Sequence, residues 1–321
     1  MDRMLASGTS TKLNNDIERG AARLGASQVE VRELIDSLVR APSPDPDLVN
    51  HYYTLCIPFY REFLGNHWHT GYYLPHGPTG PEDQLRMEWR IAESADLASA
   101  GDVLEVGCGI GGPACHLSSR TGVRYRGLTP NAVQLELARK LARESKLEGR
   151  VSFDLGRASE LPYPDESFDV VLFFESPCHF PDRARFFREA YRVLRPGGRL
   201  AGEDWLAAEG VSERDHERYL RPICEIWAMT PPGTCKSYAA DMTAAGLEVK
   251  EAIDLRDEMP LLRGFMVSPN ERAELAKEIA VTTDPMRKMI KEGLRLLGEG
   301  AQAGAFTIAR FLAVKTGRHE P

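Results

Sequence analysis

The sequence predicts an α/β fold in which helices cover both faces of a mostly parallel sheet. Short apolar runs alternate with amphipathic helical patterns between residues 103 and 203, and the first of these runs ends in a glycine-rich turn. Strands that alternate with helices are typical of a parallel sheet. Ligands of such sheets bind beyond the carboxyl ends of the strands, so we expect the functional site at that edge.

The glycine-rich turn marks the first strand. Residues 103–106 are apolar enough to form a buried strand, and four glycines follow within six residues, at positions 107, 109, 111 and 112. Pro113 suits the first turn of the next helix. A strand, a glycine turn and a helix allow the backbone to approach a nucleotide-like ligand closely. Because the glycine spacing also fits a dinucleotide-binding pattern, the turn alone does not decide the ligand.

The same reading gives seven strands in all. After the first we predict strands at 123–128, 151–155, 169–174, 199–203, 247–253 and 305–314. Helical insertions are expected at about 206–237 and 256–303. Residues 99–321 form the main domain, preceded by a flexible tail (1–26) and a helical lid and linker (27–98). In that linker, Ser27 and Glu30 suggest a capping box, prolines 42, 44 and 46 an extended stretch, and Pro81 the start of a helix.

Composition excludes several classes of function. The chain has 321 residues, 42% of them hydrophobic, which suits one large domain with additions. A net charge of −7 without a basic block makes nucleic acid an unexpected partner. We find no run of 18 apolar residues and no signal-peptide pattern, so no stable membrane insertion is expected. The six cysteines form no C-x-x-C pair and are expected to be reduced thiols of a cytoplasmic protein.

Residues 51–76 differ sharply in composition from the rest of the chain. They hold five of the ten tyrosines, four of the eight histidines and Trp68. This stretch is either an aromatic helix packed on the main domain or a lid over the active site. His67 and His69 suggest a metal, but no carboxylate or cysteine cluster accompanies them in the sequence. We therefore expect no metal site.

Three ordered motifs carry a resemblance to a known family. Residues 103–112, with Glu105 two places before the first glycine, resemble the first motif of class I S-adenosylmethionine-dependent methyltransferases. The segments Leu-Pro-Tyr-Pro-Asp-Glu-Ser-Phe-Asp-Val-Val (161–171) and Arg-Val-Leu-Arg-Pro-Gly-Gly (192–198) follow in that family's order. The resemblance implies a Rossmann-like fold with a seven-stranded sheet, and S-adenosyl-L-methionine as cofactor.

The aromatic stretch narrows the resemblance. Tyr52-Tyr-x-Leu, Phe59-Tyr60 and Trp68-His-x-Gly-Tyr-Tyr73 are similar to the amino-terminal region of sterol and tocopherol C-methyltransferases. Some bacterial indole C3-methyltransferases belong to this subgroup, and the chain resembles one. The implied acceptor-binding residues are Tyr53, Tyr60, Trp68, His69, Tyr72, Trp205 and Trp227.

The family pattern also implies the residues that bind the cofactor. They are Glu105, Gly107, Cys108, Gly109, Gly111, Leu128, Thr129, Gln134, Arg157, Ala158 and Phe174. Two positions depart from the usual pattern. Thr129 stands where most members carry an acid for the ribose, although Gln134 matches the subgroup's glutamine. Arg157 stands where an acid usually binds the adenine amino group. Since arginine cannot accept a hydrogen bond, the Ala158 amide or stacking by Arg157 would have to serve adenine.

The segment 174–180, Phe-Glu-Ser-Pro-Cys-His-Phe, follows the fourth strand and resembles the subgroup's Glu-x-x-Cys-His run. Methylation of an unsaturated carbon creates a cation that must lose a proton, so the site needs a base. We expect Glu175 and His179 to supply it, with Tyr52 as a relay hydroxyl. The alternative is purely structural: Glu175 caps a helix and His179 is a satisfied polar residue.

We therefore expect a C-methyltransferase of secondary metabolism that acts on a small, largely apolar acceptor. The indole C3 position of a tryptamine-like compound, or the double bond of a prenyl chain or sterol, fits this chemistry. An N- or O-methyltransferase is the alternative within the fold. An NAD-dependent oxidoreductase is disfavoured by the missing acid at position 129, and a non-catalytic cofactor-binding protein by Glu175 with His179. A homodimer is left open.

Overall fold

The computed structural model describes residues 46–76, 80–258 and 285–317. The tail at 1–26, the helix expected from the Ser27 capping box and part of the 256–303 insertion lie outside the described residues. In the part that is described, no helix is long and apolar enough to cross a membrane.

Seven strands form one sheet in the order β3-β2-β1-β4-β5-β7-β6. The strands are β1 (Asp102–Val106), β2 (Arg124–Thr129), β3 (Val151–Leu155), β4 (Phe168–Phe174), β5 (Leu194–Ala207), β6 (Glu248–Asp254) and β7 (Phe306–Val314). The first five pair in parallel, and β7 runs antiparallel to both β5 and β6. The predicted seven-stranded, mostly parallel sheet is confirmed.

The helices follow the predicted alternation. They are α1 (Pro46–Phe63), α2 (Pro81–Ser94), α3 (Gly112–Thr121), α4 (Ala132–Glu144), α5 (Arg183–Val193), α6 (Glu213–Asp215), α7 (Arg221–Trp227), α8 (Cys235–Ala244) and α9 (Pro285–Gln302). A π-helical turn (His216–Leu220) joins α6 to α7, and short 3₁₀ turns lie at Leu97–Ser99, Pro177–His179 and Leu255–Asp257.

Three predicted boundaries are wrong. Pro46 does not lie in an extended stretch but begins α1, where its missing N–H costs nothing. The fifth strand begins at Leu194 and not at Arg199, because Leu194 pairs with Phe168 of β4. It runs to Ala207 and not to Glu203, because residues 204–207 pair with the start of β7. That extension is buried throughout and includes Asp204, whose Oδ2 accepts a hydrogen bond from the Tyr238 hydroxyl. The insertion after β5 therefore begins later than expected.

Strand residues alternate between two cores on opposite faces of the sheet. Leu104, Val171 and Phe173 belong to one cluster, and Val103 and Val170 to the other. Burial of both faces explains the near-continuous apolar runs that the sequence showed in β1 and β4. A third cluster joins α1 to the insertion helices α7 and α9.

Helix α1 lies across the carboxyl edge of the sheet and is held there by Asn131. The Asn131 Oδ1 caps α4 by accepting from the amides of Val133 and Gln134. Its Nδ2 donates to the Asn50 carbonyl at 2.8 Å and to the Thr54 Oγ1 at 2.9 Å, both in α1. One side chain therefore ties α1 to the end of β2.

Replacing Asn131 tests this attachment. Asn131→Ala removes the cap and both bonds to α1, and we expect it to lower the free energy of unfolding by about 1–2 kcal/mol. Asn131→Asp keeps the cap but loses the donors to α1. Its midpoint of unfolding in urea should be closer to that of the wild type, but protease should cleave it faster within residues 46–63. Cleavage within α1 at the wild-type rate in both variants would contradict the role given to Asn131.

Candidate functional site

A cavity lies at the carboxyl edge, between the ends of β1, β2 and β4, helix α1 and residues 66–69. The structure gathers most of the predicted site residues around it. Those that line it are Glu105, Gly107, Cys108, Gly109, Leu128, Thr129, Gln134, Arg157, Ala158, Phe174, Glu175, His179, Tyr53, Trp68 and His69. Those that do not are Gly111, Tyr52, Tyr60, Tyr72, Trp205 and Trp227.

The glycine turn forms the floor of the cavity. Gly107 has a φ of +82°, and a Cβ there would stand 2.3 Å from the Cβ of Ser176. At Gly109, with a φ of +51°, the nearest atom to a Cβ is in Trp68 at 3.7 Å. The space above Gly109 is thus open for a ligand. Gly111 points the other way, since a Cβ there would meet the Phe153 ring at 2.5 Å. It is a packing residue and does not contact the cavity.

Glu105 and the Thr129–Gln134 pair form the polar wall. Glu105 is fully buried and accepts a hydrogen bond from the Tyr125 hydroxyl at 3.0 Å. Burial raises the pKa of Glu105 to about 8, so a cationic ligand group would favour its ionised form. The Thr129 hydroxyl donates to the Gln134 Oε1 at 2.7 Å, which makes the two side chains one hydrogen-bonded unit.

His179 lies in the 3₁₀ turn after β4 and has a defined tautomer. Its Nδ1–H donates to the Ala228 carbonyl at 3.0 Å, so its Nε2 carries the lone pair. That nitrogen accepts a hydrogen bond from the Tyr53 hydroxyl at 2.7 Å. Burial lowers the pKa of His179 to about 4, and the imidazole is therefore neutral at physiological pH. A neutral imidazole with a hydroxyl on its lone pair can accept a proton through that hydroxyl, and burial makes it a weaker base than a free histidine.

The structure places the hydroxyl of Tyr53, and not that of the predicted Tyr52, next to His179. Tyr53 contacts His179, whereas Tyr52 is buried beneath it and its hydroxyl shares a 2.8 Å hydrogen bond with Tyr60. Consecutive residues on a helix point about 100° apart, and the rotation of α1 turns Tyr53 and not Tyr52 toward the cavity. The sequence did not show how α1 is rotated about its axis, because that rotation depends on contacts distant in sequence.

Glu175 is held by different partners from those of His179. It has a φ of +45°, which is strained for a residue other than glycine and is typical of functional sites. Its carboxylate accepts from the Thr70 amide at 2.8 Å and from the Trp205 indole. Burial raises the pKa of Glu175, although His69 and these donors oppose the rise. Trp205 thus supports Glu175 from behind and does not line the cavity.

The aromatic residues divide into a cavity group and a packing group. The rings of Tyr53 and Trp68 lie parallel, with centroids 6.4 Å apart, and Tyr60 packs behind at 5.4 Å from Trp68. Tyr72 faces away, because Arg90 stacks on its ring and its hydroxyl donates to the Glu258 carbonyl. Trp227 packs edge-on against Trp205. Tyr72, Trp205 and Trp227, which were predicted to contact the acceptor, therefore do not line this cavity.

A carboxylate does accompany the histidines, contrary to the sequence prediction. Glu88 of α2 is fully buried and lies 2.5 Å from the His67 Nδ1 and 2.9 Å from the His69 Nε2. The Nδ1 of His116, in α3, lies 2.5 Å from its other oxygen. His67, His69 and Glu88 are close enough together to hold a metal ion. Glu88 was missed because it is 19 residues from His69 and the spacing of α2 gives no hint of it.

Comparisons with known proteins agree with this geometry. A methyltransferase-domain family model matches residues 104–202. The chain is 36% identical to methyltransferase GfsG of Streptomyces halstedii over 65% of this chain and 76% of that protein. It is 35% identical to the 27-O-demethylrifamycin SV methyltransferase of Amycolatopsis mediterranei over 66% and 78%.

The resemblance to sterol methyltransferases is also confirmed. A sterol 24-C-methyltransferase of Pneumocystis carinii is 34% identical over 53% of this chain and 45% of its own. Among solved structures, the [4+2]-cyclase SpnF superposes with a TM-score of 0.71 at 25% identity, covering 85% of this chain and 97% of that one.

The chain belongs to the class I S-adenosylmethionine-dependent methyltransferases. It is an enzyme of the natural-product, sterol and tocopherol type, and its cofactor is S-adenosylmethionine. The open space above Gly109 and the buried acid Glu105 fit the positively charged methionine part of this cofactor.

A substitution in the glycine turn tests the position of the cofactor. Gly109→Val puts a branched side chain into the open space and should reduce the affinity for S-adenosylhomocysteine by at least two orders of magnitude, measured by calorimetry. Gly122→Val is the matched control, since Gly122 has a similar positive φ of +76° but lies at the end of α3, outside the cavity. Near-normal affinity in a folded Gly109→Val variant would refute this position for the cofactor.

Proposed function

We propose that this methyltransferase adds a methyl group to an electron-rich carbon of a small, largely apolar natural product. The observation that carries the proposal is the Tyr53–His179 pair, a neutral base with a relay hydroxyl at the cavity wall. Bound S-adenosylmethionine supplies an electrophilic methyl group. The residues of the chain have to align the acceptor, stabilise its charge and remove a proton.

The proton step follows from the tautomer of His179. A new bond between the methyl group and an unsaturated carbon leaves a positive charge on the acceptor. The acceptor then loses a proton to the Tyr53 oxygen, as the Tyr53 proton passes to the His179 Nε2. In a prenyl or sterol acceptor this proton leaves a carbon and the C–H electron pair restores a double bond, whereas in an indole that already carries a side chain at C3 it leaves the ring nitrogen and the N–H pair neutralises the ring. The charge ends on the imidazolium, which the Ala228 carbonyl holds through Nδ1–H. Such general-base steps contribute roughly 10²–10⁴-fold to the rate.

The walls of the cavity suit a cationic intermediate. The faces of Tyr53 and Trp68 offer electron-rich π-systems, and the Glu175 carboxylate lies at the same end of the site. An acceptor attacking through an oxygen or nitrogen lone pair has less need of this combination. The proposal therefore favours carbon as the methylated atom.

The acceptor that fits these walls is flat or unsaturated and uncharged. The C3 position of an indole in a tryptamine-like compound, or the double bond of a prenyl chain or sterol, has the required electron density. Among the described residues that line the cavity, Arg157 is the only arginine or lysine. A diphosphate group would want several cations, which makes prenyl diphosphates poor candidates.

O-Methylation is the second candidate function. The 27-O-demethylrifamycin SV methyltransferase is similar over most of its length, and its name gives oxygen as the methylated atom. The Tyr53–His179 pair would then take the proton of an acceptor hydroxyl.

The compartment that we propose is the cytoplasm. All six cysteines are buried thiols, and burial raises the pKa of Cys56 and Cys224 to about 12. Buried thiols of this kind suit a reducing compartment.

A labelled-methyl assay decides between carbon and oxygen. The enzyme is incubated with ¹³C-methyl S-adenosylmethionine and a panel of indoles, sterols, prenyl compounds and phenolic macrocycles, and the label is located by NMR. We expect a methyl signal bonded to carbon in an indole, sterol or prenyl product. A label found only on oxygen or nitrogen would overturn the proposal.

Paired tyrosine variants test the relay on the acceptor found in that assay. We expect Tyr53→Phe to lower kcat by roughly 10²-fold or more, and His179→Gln by 10²–10⁴-fold, the range of a lost general base. Tyr52→Phe is the matched control one residue away and should keep kcat within a few-fold of the wild type. Equal losses in the two tyrosine variants would show that the Tyr53–His179 contact is structural.

A further inference from the structure

The cluster of Glu88, His67, His69 and His116, which we call the His–Glu cluster, lies behind the cavity between residues 67–69, α2 and α3. All three imidazoles point a nitrogen at one carboxylate, and only His69 also lines the cavity. His69 is 3% exposed and Glu88 is not exposed at all. The side chains of His67 and His116 are 21% and 12% exposed, so the cluster reaches solvent on the side away from the cavity.

The contacts of His69 define its protonation. Its Nδ1 lies 2.9 Å from the Thr70 carbonyl oxygen, an acceptor, so this nitrogen carries a proton. Its Nε2 lies 2.9 Å from the Glu88 Oε1, which also faces His67. Burial opposes ionisation of Glu88, but the three imidazoles hold the pKa of its carboxyl well below the usual range. Both ring nitrogens of His69 thus face acceptors, and Glu88 raises the pKa of His69 against the effect of burial, so this geometry favours an imidazolium paired with the Glu88 carboxylate.

His69 is linked to Glu175 in two ways. The next residue, Thr70, accepts from His69 with its carbonyl and donates its amide to the Glu175 Oε1 at 2.8 Å. The charge of His69 also opposes the effect of burial on Glu175, whose pKa would otherwise rise further. The other titratable groups near Glu175 are acidic or neutral: Glu203, Asp204, Tyr53, Tyr60, Tyr73 and Cys178. None of these supplies a positive charge, whereas His69 does.

We infer that Glu88 is a positioning residue of the reaction: it holds His69 as a buried imidazolium, and this cation with the Thr70 amide keeps the Glu175 carboxylate ionised in the acceptor end of the cavity. The inference rests on the proposed function for the use of that charge, which is to stabilise the acceptor cation. The charge states themselves do not depend on which atom is methylated.

Nuclear magnetic resonance of the histidine side chains tests the charge states without any acceptor. The full-length enzyme, ¹⁵N-labelled on histidine and saturated with S-adenosylhomocysteine, is titrated between pH 6 and 9. We expect His69 to carry protons on both nitrogens beyond pH 7.5 and His179 to stay a neutral Nδ1–H tautomer throughout. In Glu88→Gln, His69 should become neutral by pH 7.5. A singly protonated His69 in the wild-type enzyme at pH 7 would overturn the inference.

Metal analysis addresses the other use of the same side chains. If the purified enzyme contains stoichiometric zinc or another transition metal that is lost in His67→Ala and Glu88→Gln, His69 is a metal ligand and the inference is wrong. We expect less than one-tenth of an equivalent of metal.

Cofactor binding tests the effect on Glu175, again without an acceptor. S-Adenosylmethionine is a sulfonium cation and S-adenosylhomocysteine is neutral, so the ratio of their Kd values senses a nearby carboxylate. We expect Glu88→Gln to weaken the preference for the cation at pH 7 by about tenfold, the equivalent of one pKa unit, and Glu175→Gln to do the same. Raising the pH should restore the preference in Glu88→Gln but not in Glu175→Gln. A structural role for Glu88 would move both Kd values together and show no such recovery.

Two further variants guard against misfolding. His69→Gln removes the same charge with a smaller change around Glu88, and it should lose the preference as Glu88→Gln does. The double variant Glu88→Gln/His69→Gln should lose no more of the preference for S-adenosylmethionine than the more affected single variant, because both substitutions break the same ion pair. His116→Ala is the control, since His116 contacts the Glu88 Oε2 and not His69. It should keep the wild-type ratio to within twofold, and a tenfold loss there would contradict the route through His69.

Discussion

The absence of side chains in the glycine turn is the constraint on which the site depends. A Cβ at Gly107 would collide with Ser176 after β4, and one at Gly111 with Phe153 of β3. At Gly112 it would stand 2.0 Å from the Asn66 carbonyl oxygen. Three separate parts of the chain therefore pack directly against the backbone of this turn. The glycines are therefore needed for packing as well as for the close approach of a ligand. Their lack of side chains lets residues 66–70 lie at the cavity.

Several buried acids lie in and around the site, and their neighbours determine which of them are ionised. Glu105 and Glu203 lie on the sheet with little to favour ionisation, and burial raises the pKa values of both. Within the described part of the chain, the Glu203 carboxylate has no hydrogen-bond partner, which is tolerable only for the neutral acid. Glu88 has three imidazoles around it and is ionised. Of these three buried acids, only the one that the imidazoles surround has a lowered pKa.

The fold could be predicted from the sequence because its signals are local. Periodicity, the glycine turn and the prolines gave all seven strands, with errors only where a boundary depends on a distant partner, as at residues 204–207. For the same reason the residues predicted at the strand ends, Glu105, Thr129 and Glu175, lie at the cavity wall. The sequence did not show which side chains of α1 and α2 reach the site. The choice between Tyr52 and Tyr53 depends on how α1 is rotated against His179, and the partnership of Glu88 with His69 joins two segments through tertiary packing alone.

Different parts of the structure contribute to the cofactor site and to the residues that follow β4. The sheet and the glycine turn provide what every member of the family needs, a place for the cofactor. The groups to which we assign the proton transfer and the charge on Glu175 lie on elements added around that edge: Tyr53 on α1, His69 after it, and the Ala228 carbonyl in the insertion after β5. Each acts on a residue just after β4, either Glu175 or His179. Because these contacts converge on one short turn, a change in either added segment acts on Glu175 or His179. Family members can therefore differ in acceptor and in methylated atom while sharing the same sheet.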